Sequence, residues 1–256
     1  MESLQGKTVF ITGASAGIGK SCAEAFAKEG ANLVLTARRK EVIDELAKNL
    51  SDKYKVSVHA AKLDVRDRNE VTKVIENLPI NLSQVDVLIN NAGLARGVEK
   101  VAEGIHDNWD EMIDTNIKGL LNVTRAILPG MIERDSGHVI NLGSTAGHMA
   151  YTGASVYCAT KFSVRAISDT IRIEVVDTGV KVTSVDPGAV ETDFSKVRFS
   201  GDEEKASKVY SGFTPLKAED IAEAIIFCAT RPPHANINEL IITSTSQANS
   251  LVIHRE

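Results

Sequence analysis

The chain has 256 residues, of which 43% are hydrophobic and 25% are charged, and its formal net charge is -5. A chain of this length can bury a core of its own, and we predict one domain over residues 1–256. The small negative charge gives no positive surface for phosphate backbones or anionic lipid. We therefore expect neither a nucleic-acid partner nor a membrane partner.

The cysteines and the first residues indicate the compartment. Cys22, Cys158 and Cys228 are odd in number and lack a C-x-x-C pair, so we expect no disulfide framework and no metal site. The sequence MESLQG leads into an apolar run without the basic region of a signal peptide, and no apolar run approaches the roughly 20 residues of a membrane span. We therefore expect a cytoplasmic protein.

Short apolar runs alternate with amphipathic stretches along the chain. We predict strands at 8–12, 32–36, 55–61, 85–90, 138–142, 181–185 and 240–243. We predict helices at 18–29, 40–50, 68–78, 107–134, 156–177 and 218–230, where apolar residues recur at spacings of three and four. Near-continuous apolar strands separated by helices favour an α/β fold, a parallel sheet with helices on both faces.

Residues 188–217 interrupt this alternation with small and charged residues. A long excursion within a compact domain is usually functional, so we predict a substrate lid at this place. A solvated surface insertion is the alternative.

The sequence TGASAGIG, residues 12–19, follows the first strand and opens the first helix. Gly13, Gly17 and Gly19 allow the backbone to approach a pyrophosphate, which free N–H groups at the helix N-terminus can then bind. We predict that Ser15 and Ile18 also contact this cofactor. The spacing G-x-x-x-G-x-G differs from the G-x-G-x-x-G of the common dinucleotide fingerprint.

The same loop also satisfies the G-x-S-x-G pattern of a hydrolase, with Ser15 as the nucleophile. None of the six histidines has a sequence setting typical of the required base, and this pattern leaves Gly19 unexplained. A serine hydrolase is therefore our second hypothesis. A dinucleotide-binding sensor without turnover is a third.

The second strand ends in LTARRK, residues 35–40, which bears on the choice of dinucleotide. An acidic residue about 20 positions after the glycine loop would bind the ribose 2′-hydroxyl of NAD. The sequence instead has Ala37, followed by Arg38, Arg39 and Lys40. Because cations at a helix start oppose the helix dipole, a 2′-phosphate would compensate them, and we predict NADP. A solvated basic turn is the alternative.

Together these segments resemble the short-chain dehydrogenase/reductase family over almost the whole chain. The resemblance rests on TGASAGIG (12–19), LDV (63–65), NNAG (90–93), Asn116, Ser144, YCATK (157–161) and PGAVET (187–192). It implies a Rossmann-like doubly wound parallel sheet of seven strands in the order 3-2-1-4-5-6-7. It also implies an oxidoreductase that acts on CH–OH groups and a homotetramer that assembles through the helices at 107–134 and 156–177.

The resemblance implies further cofactor contacts. These are Asp64 and Val65 at the adenine, Asn90, Asn91, Ala92 and Gly93 near the adenosine, and Pro187, Gly188, Val190 and Thr192 at the nicotinamide. From the residues alone, Asp64 could equally cap the helix that starts near Asp67. Asn90 and Asn91 could equally fix a strand end through side-chain hydrogen bonds.

Tyr157 and Lys161 are four residues apart in a predicted helix, so their side chains can share one face. Lowering the phenol pKa by about 3 units requires roughly 4 kcal/mol. One ammonium about 4 Å away supplies about that much at an effective dielectric constant near 20, and an oxidised nicotinamide adds a second positive charge. We therefore predict that Tyr157 is the general acid and base and that Lys161 lowers its pKa. An ordinary helical pair is the alternative for these two residues alone.

The resemblance implies that Lys161 also holds the nicotinamide ribose, that Ser144 orients the substrate oxygen, and that Asn116 anchors a water relay to Lys161. Asn116 lies in a helix that is otherwise apolar on that face, where a buried amide needs a hydrogen-bond partner.

The finer resemblance is to the NADP-dependent 3-hydroxy acid dehydrogenases, carried by NAGLARG, GSTAGHMAYTGASVYCATK and ETDFSKVRFSGDEEKA. It implies small 3-hydroxy acids such as serine, L-allo-threonine and 3-hydroxyisobutyrate as substrates. Their carboxylate needs a cation near the nicotinamide, and the candidates are Arg96 and Arg198, either of which could instead be a solvated surface residue. A carbonyl reductase of another substrate class, such as a 3-oxoacyl reductase, is the alternative.

Overall fold

The fold is known from a computed structural model, which describes residues 2–256. One sheet contains seven strands that are all parallel, in the order β3-β2-β1-β4-β5-β6-β7. The strands are β1 (Thr8–Thr12), β2 (Asn32–Ala37), β3 (Val58–Lys62), β4 (Val87–Asn90), β5 (Gly137–Leu142), β6 (Val180–Pro187) and β7 (Glu239–Ile242). The predicted fold class and strand order are confirmed.

Helices separate the strands, as predicted. They are α1 (Gly17–Lys28), α2 (Lys40–Tyr54), α3 (Arg68–Glu76), α4 (His106–Ile113), α5 (Leu120–Glu133), α6 (Ser155–Glu174), α7 (Phe194–Arg198), α8 (Glu203–Lys208) and α9 (Ala218–Ala229). Helix α2 extends beyond the predicted 40–50, because the left-handed residue that ends it is Lys55, with a φ of 57°. Strand β3 therefore begins at Val58, later than the predicted residue 55.

Both faces of the sheet are buried, which is why its strands read as continuous apolar runs. Along β1, Val9 and Ile11 belong to one apolar layer, which also contains side chains of α1, α2 and α9. Phe10 points the opposite way into a second layer with side chains of α3, α5 and α6. The alternation follows from the two-residue side-chain period of a strand.

The helix predicted at 107–134 is interrupted by a π-helical segment, Asp114–Gly119, between α4 and α5. Single π turns of this kind are frequent at functional sites. The carboxyl ends of β1 and β4 lie close by, where the order of the strands reverses. This reversal opens a crevice at the edge of the sheet, and ligands of open α/β folds bind in such crevices.

The excursion at 188–217 contains the two short helices α7 and α8, and Val190 pairs with Leu216 at its base. All three cysteines are buried and free. Within residues 2–256, no helix combines the length and apolar character needed to cross a membrane.

Candidate active site

A cleft of about 500 Å³ opens at the carboxyl edge of the sheet. Its walls contain residues from nearly every predicted motif. Among the predicted site residues, Gly13, Ser15, Gly17, Ile18, Arg38, Arg39, Asp64, Val65, Asn91, Ala92, Gly93, Ser144, Tyr157, Lys161, Pro187, Gly188, Val190 and Thr192 line it. Gly19, Asn90, Asn116, Arg96 and Arg198 do not.

The glycine loop forms one end of the cleft. Gly13 and Gly17 have φ values of 67° and 52°, a left-handed conformation that glycine adopts at low cost. Helix α1 starts at Gly17 without a side-chain cap, so its first N–H groups remain available to an anion. Gly19 has a packing role, because a Cβ there would overlap the amide nitrogen of Asn91 and the carbonyl oxygen of Gly13.

The hydroxyl of Ser15 accepts a hydrogen bond of 2.9 Å from Nη2 of Arg39. A guanidinium stays protonated and cannot act as a general base. Across residues 2–256, this arginine is the side chain bonded to the Ser15 hydroxyl. The loop therefore lacks the base that the hydrolase hypothesis requires.

The end of β2 presents positive charge to the cleft. Ala37, Arg38 and Arg39 all line it, and Arg38 is more than half exposed. The nearest acid to Arg38 is Glu111 of α4, at 3.8 Å. This end of the cleft can therefore receive an additional anion.

The carboxylate of Asp64 lines the cleft and accepts hydrogen bonds of 2.9 and 3.0 Å from Nε of Arg66. The hydrogen bonds from Arg66 hold the pKa of Asp64 below its usual range. Helix α3 is capped by Asp67, whose side chain accepts from the backbone N–H groups of residues 69 and 70. The alternative in which Asp64 caps this helix is therefore wrong.

The two asparagines of NNAG have different positions. Asn90 is 4% exposed and donates to Thr124 Oγ1 and Asn141 Oδ1, both at 2.9 Å, so it fixes neighbouring elements behind the cleft. Its predicted place on the wall near the adenosine is not observed. Asn91 lines the cleft and donates to the carbonyl oxygens of Thr12 at 2.8 Å and Gly13 at 3.2 Å, which ties the glycine loop to β4.

Ser144, Tyr157 and Lys161 share the opposite end of the cleft. Tyr157 and Lys161 are each 8% exposed, and Lys161 Nζ lies 6.0 Å from the centroid of the tyrosine ring. The ammonium donates a hydrogen bond of 2.7 Å to the carbonyl oxygen of Leu142, the last residue of β5. Ser144 follows this strand and also caps the short turn after it by accepting from Ala146 N–H.

The predicted lowering of the Tyr157 pKa by Lys161 is not observed. Burial raises the pKa of Tyr157, and Tyr151 adds to the rise, whereas a hydrogen bond with Ser144 and the charge of Arg198 act against it. Burial also lowers the pKa of Lys161 to about 8. The calculation from the sequence omitted the desolvation of both groups, which favours their neutral forms.

Asn116 lies in the π-helical segment and is 2% exposed. Its amide nitrogen donates to the carbonyl oxygen of Leu94 at 2.8 Å and to Thr160 Oγ1 at 3.1 Å. Its oxygen accepts from the N–H of Leu94 at 2.9 Å. The amide has the partners that its burial requires, and its side chain lies behind the wall of the cleft.

The two arginines proposed for a substrate carboxylate lie outside the wall of the cleft. Arg96 pairs with Glu111 at 2.7 Å and donates to the carbonyl oxygen of Val197, also at 2.7 Å. Arg198 donates to Gly97 O at 3.1 Å, and its guanidinium carbon lies 6.0 Å from the Tyr157 ring centroid. Both guanidinium groups bind backbone carbonyls, which sequence spacing cannot show.

Several lining residues were missed from the sequence. Phe194 of α7 lines the cleft, and its ring centroid lies 5.7 Å from that of Tyr157. The others are Ala16, Ala37, Leu63, Leu94, Thr115, Leu142, Gly143, Asp193 and Val197. Most of these flank predicted motifs, so inclusion of motif neighbours would have found them. Phe194 and Val197 come from the irregular excursion, which has no such pattern.

Two histidines have specific hydrogen-bond partners that their sequence settings do not indicate. His148 Nε2 lies 2.7 Å from a carboxylate oxygen of Asp186. His138 is 3% exposed in β5 and forms a 2.7 Å hydrogen bond with Thr183 Oγ1.

The cleft fits a phosphorylated dinucleotide. Its glycine loop and the uncapped start of α1 can bind a pyrophosphate. Two exposed arginines line one end of the cleft, and a tyrosine, a serine and a lysine line the other. The short chain dehydrogenase family matches residues 7–203.

Relatives cover the chain almost completely. It is 45% identical over 257 residues to the NADP-dependent 3-hydroxy acid dehydrogenase of Schizosaccharomyces pombe, covering 100% of this chain and 99% of that protein. It is 46% identical over 241 residues to sulfoacetaldehyde reductase 2 of Chromohalobacter salexigens, covering 94% and 95% respectively. The closed form of a serine dehydrogenase complexed with NADP+ has a TM-score of 0.91 and 43% identity, covering 97% of this chain and 100% of that one. The chain is therefore an oxidoreductase that belongs to the short chain dehydrogenase family.

Proposed function

We propose that the protein is an NADP-dependent dehydrogenase that oxidises the 3-hydroxyl group of small 3-hydroxy acids, such as serine, L-allo-threonine and 3-hydroxyisobutyrate. One observation carries the proposal: Ser144, Tyr157 and Lys161 line the same cleft as the glycine loop and Arg38. The 45% identity over the whole chain to a dehydrogenase of that name supports the substrate class.

We assign each part of the cofactor to a group of residues that line the cleft or open the first helix. Arg38 and Arg39 bind the 2′-phosphate, and the N–H groups at the start of α1 bind the pyrophosphate. Asp64, Val65 and the Asn91–Gly93 segment border the adenosine, and the Pro187–Thr192 segment borders the nicotinamide. A cofactor held by these residues would supply the hydride acceptor and a positive charge at the nicotinamide end of the cleft.

The side chains of this chain handle the proton. Tyr157 takes the proton of the substrate hydroxyl during oxidation and returns it to the carbonyl oxygen during reduction, a role worth typically about 100- to 10,000-fold in rate. Ser144 donates a hydrogen bond to the same substrate oxygen. Lys161 holds the nicotinamide ribose. Its charge alone does not lower the Tyr157 pKa, so we propose that it stabilises the tyrosinate only together with the positive charge of a bound oxidised nicotinamide.

Asn116 is a positioning residue in this scheme. Its side chain joins the backbone of Leu94, which lines the cleft, to Thr160, the neighbour of Lys161. The water relay that family resemblance implies would run from this segment to Lys161.

Arg198 does not line the cleft, but its guanidinium carbon lies 6.0 Å from the centroid of the Tyr157 ring, so we assign the substrate carboxylate to it. Arg96 is committed to Glu111 and to Val197, so it holds the excursion in place.

The excursion at 188–217 acts as the lid. Thr192, Phe194 and Val197 form part of the cleft wall. Two hydrogen bonds tie the excursion to the segment after β4: Gly97 N–H donates to the Arg198 carbonyl oxygen at 2.9 Å, and the Arg198 side-chain Nε donates to the Gly97 carbonyl oxygen at 3.1 Å.

A second substrate class is supported by the 46% identity to sulfoacetaldehyde reductase 2. A sulfonated aldehyde resembles the oxidised form of a 3-hydroxy acid, since one carbon separates an anionic group from the reacting carbon in both. The same cleft would then work in the direction of reduction. A 3-oxoacyl thioester is the bulkier alternative.

We further propose a cytoplasmic homotetramer. Apolar side chains remain exposed on the two helices implied in assembly: Leu121 (42%) and Ile132 (41%) on α5, and Phe162 (41%) and Ile173 (73%) on α6. Light scattering coupled to gel filtration would measure the assembly, and a monomer would contradict it. Fractionation of the source cells would test the compartment.

The deciding experiment is a panel of 3-hydroxy acids, sulfoacetaldehyde and a 3-oxoacyl thioester, assayed with both dinucleotides by the absorbance of the reduced nicotinamide. We expect turnover of 3-hydroxy acids with NADP+. Tyr157→Phe should lower kcat by about 100- to 10,000-fold and leave NADP+ binding unchanged. Tyr54→Phe, in which the lost hydroxyl binds Glu24 far from the cleft, is the matched control. Full activity of Tyr157→Phe would contradict the proposal.

A further inference from the structure

A buried carboxylate lies directly behind the catalytic end of the cleft. Asp186, near the end of β6, is 2% exposed. One of its oxygens accepts a hydrogen bond of 2.6 Å from Ser184 Oγ, and the other lies 2.7 Å from His148 Nε2. Because an ionised carboxylate only accepts hydrogen bonds, the imidazole donates this one. Asp186 is therefore fixed from two sides.

One peptide unit separates this carboxylate from Lys161. Gly143 lines the cleft, and a Cβ on it would overlap Asp186 Oδ1. The carbonyl oxygen of Leu142, the residue before it, accepts the 2.7 Å hydrogen bond from Lys161 Nζ. The N–H of Gly143 in turn donates to Val185 O at 2.9 Å. Glycine at 143 thus permits the close approach of the Asp186 carboxylate to the peptide unit whose carbonyl oxygen binds Lys161.

Titratable groups near Asp186 lie on α6, on β7 and in the segment that follows β5. Lys161 and Arg165 lie on α6, His148 follows β5, and Glu239 lies on β7. Glu239 Oε1 is 3.8 Å from His148 Nε2 and 2.9 Å from Arg165 Nε, so Arg165 already neutralises it. Asp186 has no arginine or lysine bonded to it among residues 2–256. Burial lowers the pKa of Lys161 to about 8, and the charge of Asp186 opposes this fall.

We propose that Asp186, fixed by His148 and Ser184, is a positioning residue that supplies the counter-charge for the Lys161 ammonium. The inference rests on the proposed function, in which that ammonium stabilises the tyrosinate. The carboxylate acts through Lys161 and touches neither substrate nor cofactor. A neutral side chain at 186 should therefore leave Lys161 charged over a narrower range of pH.

The direct test is the titration of Lys161 in Asp186→Asn, followed by NMR of protein with labelled lysine Cε and assigned through Lys161→Arg. We expect the midpoint to fall by roughly one pH unit, the lower end of the effect of a neighbouring opposite charge. The high-pH limb of the kcat profile should move in the same direction. Asp186→Glu, which keeps the charge, should restore both. An unchanged or raised midpoint would overturn the inference.

Glu239→Gln is the matched control. It removes another carboxylate from the same cluster, but Arg165 already neutralises the charge of Glu239. We expect it to move the Lys161 midpoint less than Asp186→Asn does, and an equal shift would count against Asp186 as the specific partner. If the wild type turns over no hydroxy acid or carbonyl substrate, the proposed function fails, whereas the NMR titration still decides the charge pairing.

A double-mutant cycle of unfolding stability tests the charge pairing even if Asp186→Asn is too unstable for the NMR titration. Lys161→Met leaves the buried carboxylate without its counter-charge, so adding Asp186→Asn should raise the denaturant midpoint of Lys161→Met. If the two substitutions destabilise independently, the charges are not partners.

Discussion

The carboxylate of Glu111 accepts a 2.7 Å hydrogen bond from Arg96 and lies 3.8 Å from the guanidinium of Arg38. The hydrogen bond from Arg96 holds the pKa of Glu111 below its usual range, and the charge of Arg38 acts in the same direction. Arg96 in turn binds the carbonyl oxygen of Val197 in α7. One acid thus stands between the arginine assigned to the 2′-phosphate and the arginine that holds the lid.

Arg38→Gln should reduce the preference for NADP over NAD. A charge-assisted hydrogen bond contributes about 1.5 to 3 kcal/mol, so kcat/KM with NADP+ should fall roughly 10- to 100-fold while the value with NAD+ changes little. Steady-state kinetics with both dinucleotides measure the ratio. Arg172→Gln is a control, since its guanidinium pairs with Asp169 and the residue does not line the cleft. Comparable kcat/KM for NADH and NADPH in the wild type would contradict the assignment.

Arg198→Gln should raise KM for 3-hydroxy acids about 10-fold or more, because a charged partner of the carboxylate is lost. The methyl ester of the same hydroxy acid carries no charge, and its KM should change little. Arg96→Gln removes a lid contact without removing the proposed carboxylate partner, so it should affect acid and ester alike. A change in KM of the same size for acid and ester in Arg198→Gln would assign the carboxylate to another residue.

His138 should make the protein less stable in acid. Burial lowers its pKa in the folded protein to about 3, from an ordinary 6.5, so below pH 6.5 the unfolded chain binds a proton that the folded chain does not. The free energy of unfolding should therefore fall between pH 7 and pH 5, and this group contributes about 2 kcal/mol of the loss.

Urea unfolding at the two pH values measures this loss. The double variant His138→Leu/Thr183→Val removes both hydrogen-bond partners together and should lose that much less stability over the interval. Thr183→Val alone keeps the imidazole and should keep the acid dependence. An equal loss in wild type and double variant would refute the role of His138.

Asn116→Ala should lower the free energy of unfolding by about 3 kcal/mol, since three buried hydrogen bonds of about 1 kcal/mol each are lost. Denaturant unfolding measures the change, and kcat should fall with it because Leu94 lines the cleft. Asn122→Ala is the control: its amide donates to Val65 O at 2.9 Å from the next turn of the same helical run, so about 1 kcal/mol should be lost. Equal effects of the two substitutions would contradict a special role for Asn116.

Features that depend on residues close together in the sequence could be predicted, whereas contacts between distant residues could not. Runs such as residues 8–12 predicted their strands because burial of both faces leaves a continuous apolar stretch. Tyr157 and Lys161 were placed on one wall because a helical turn joins them. Arg96 was misplaced, since its partner Val197 lies 101 positions away and no spacing records that contact.

The π-helical segment Asp114–Gly119 could not be predicted either, because the apolar pattern of residues 107–134 is that of one continuous helix. At 3.6 residues per turn, one residue more or fewer rotates everything that follows by about 100°. Loss of a residue here would turn Val123, Ile127 and Met131 of α5 away from the sheet that buries them. The length of this segment is therefore under stronger constraint than the identity of its exposed residues, and variants that shorten it should be far less tolerated than variants that substitute Lys118.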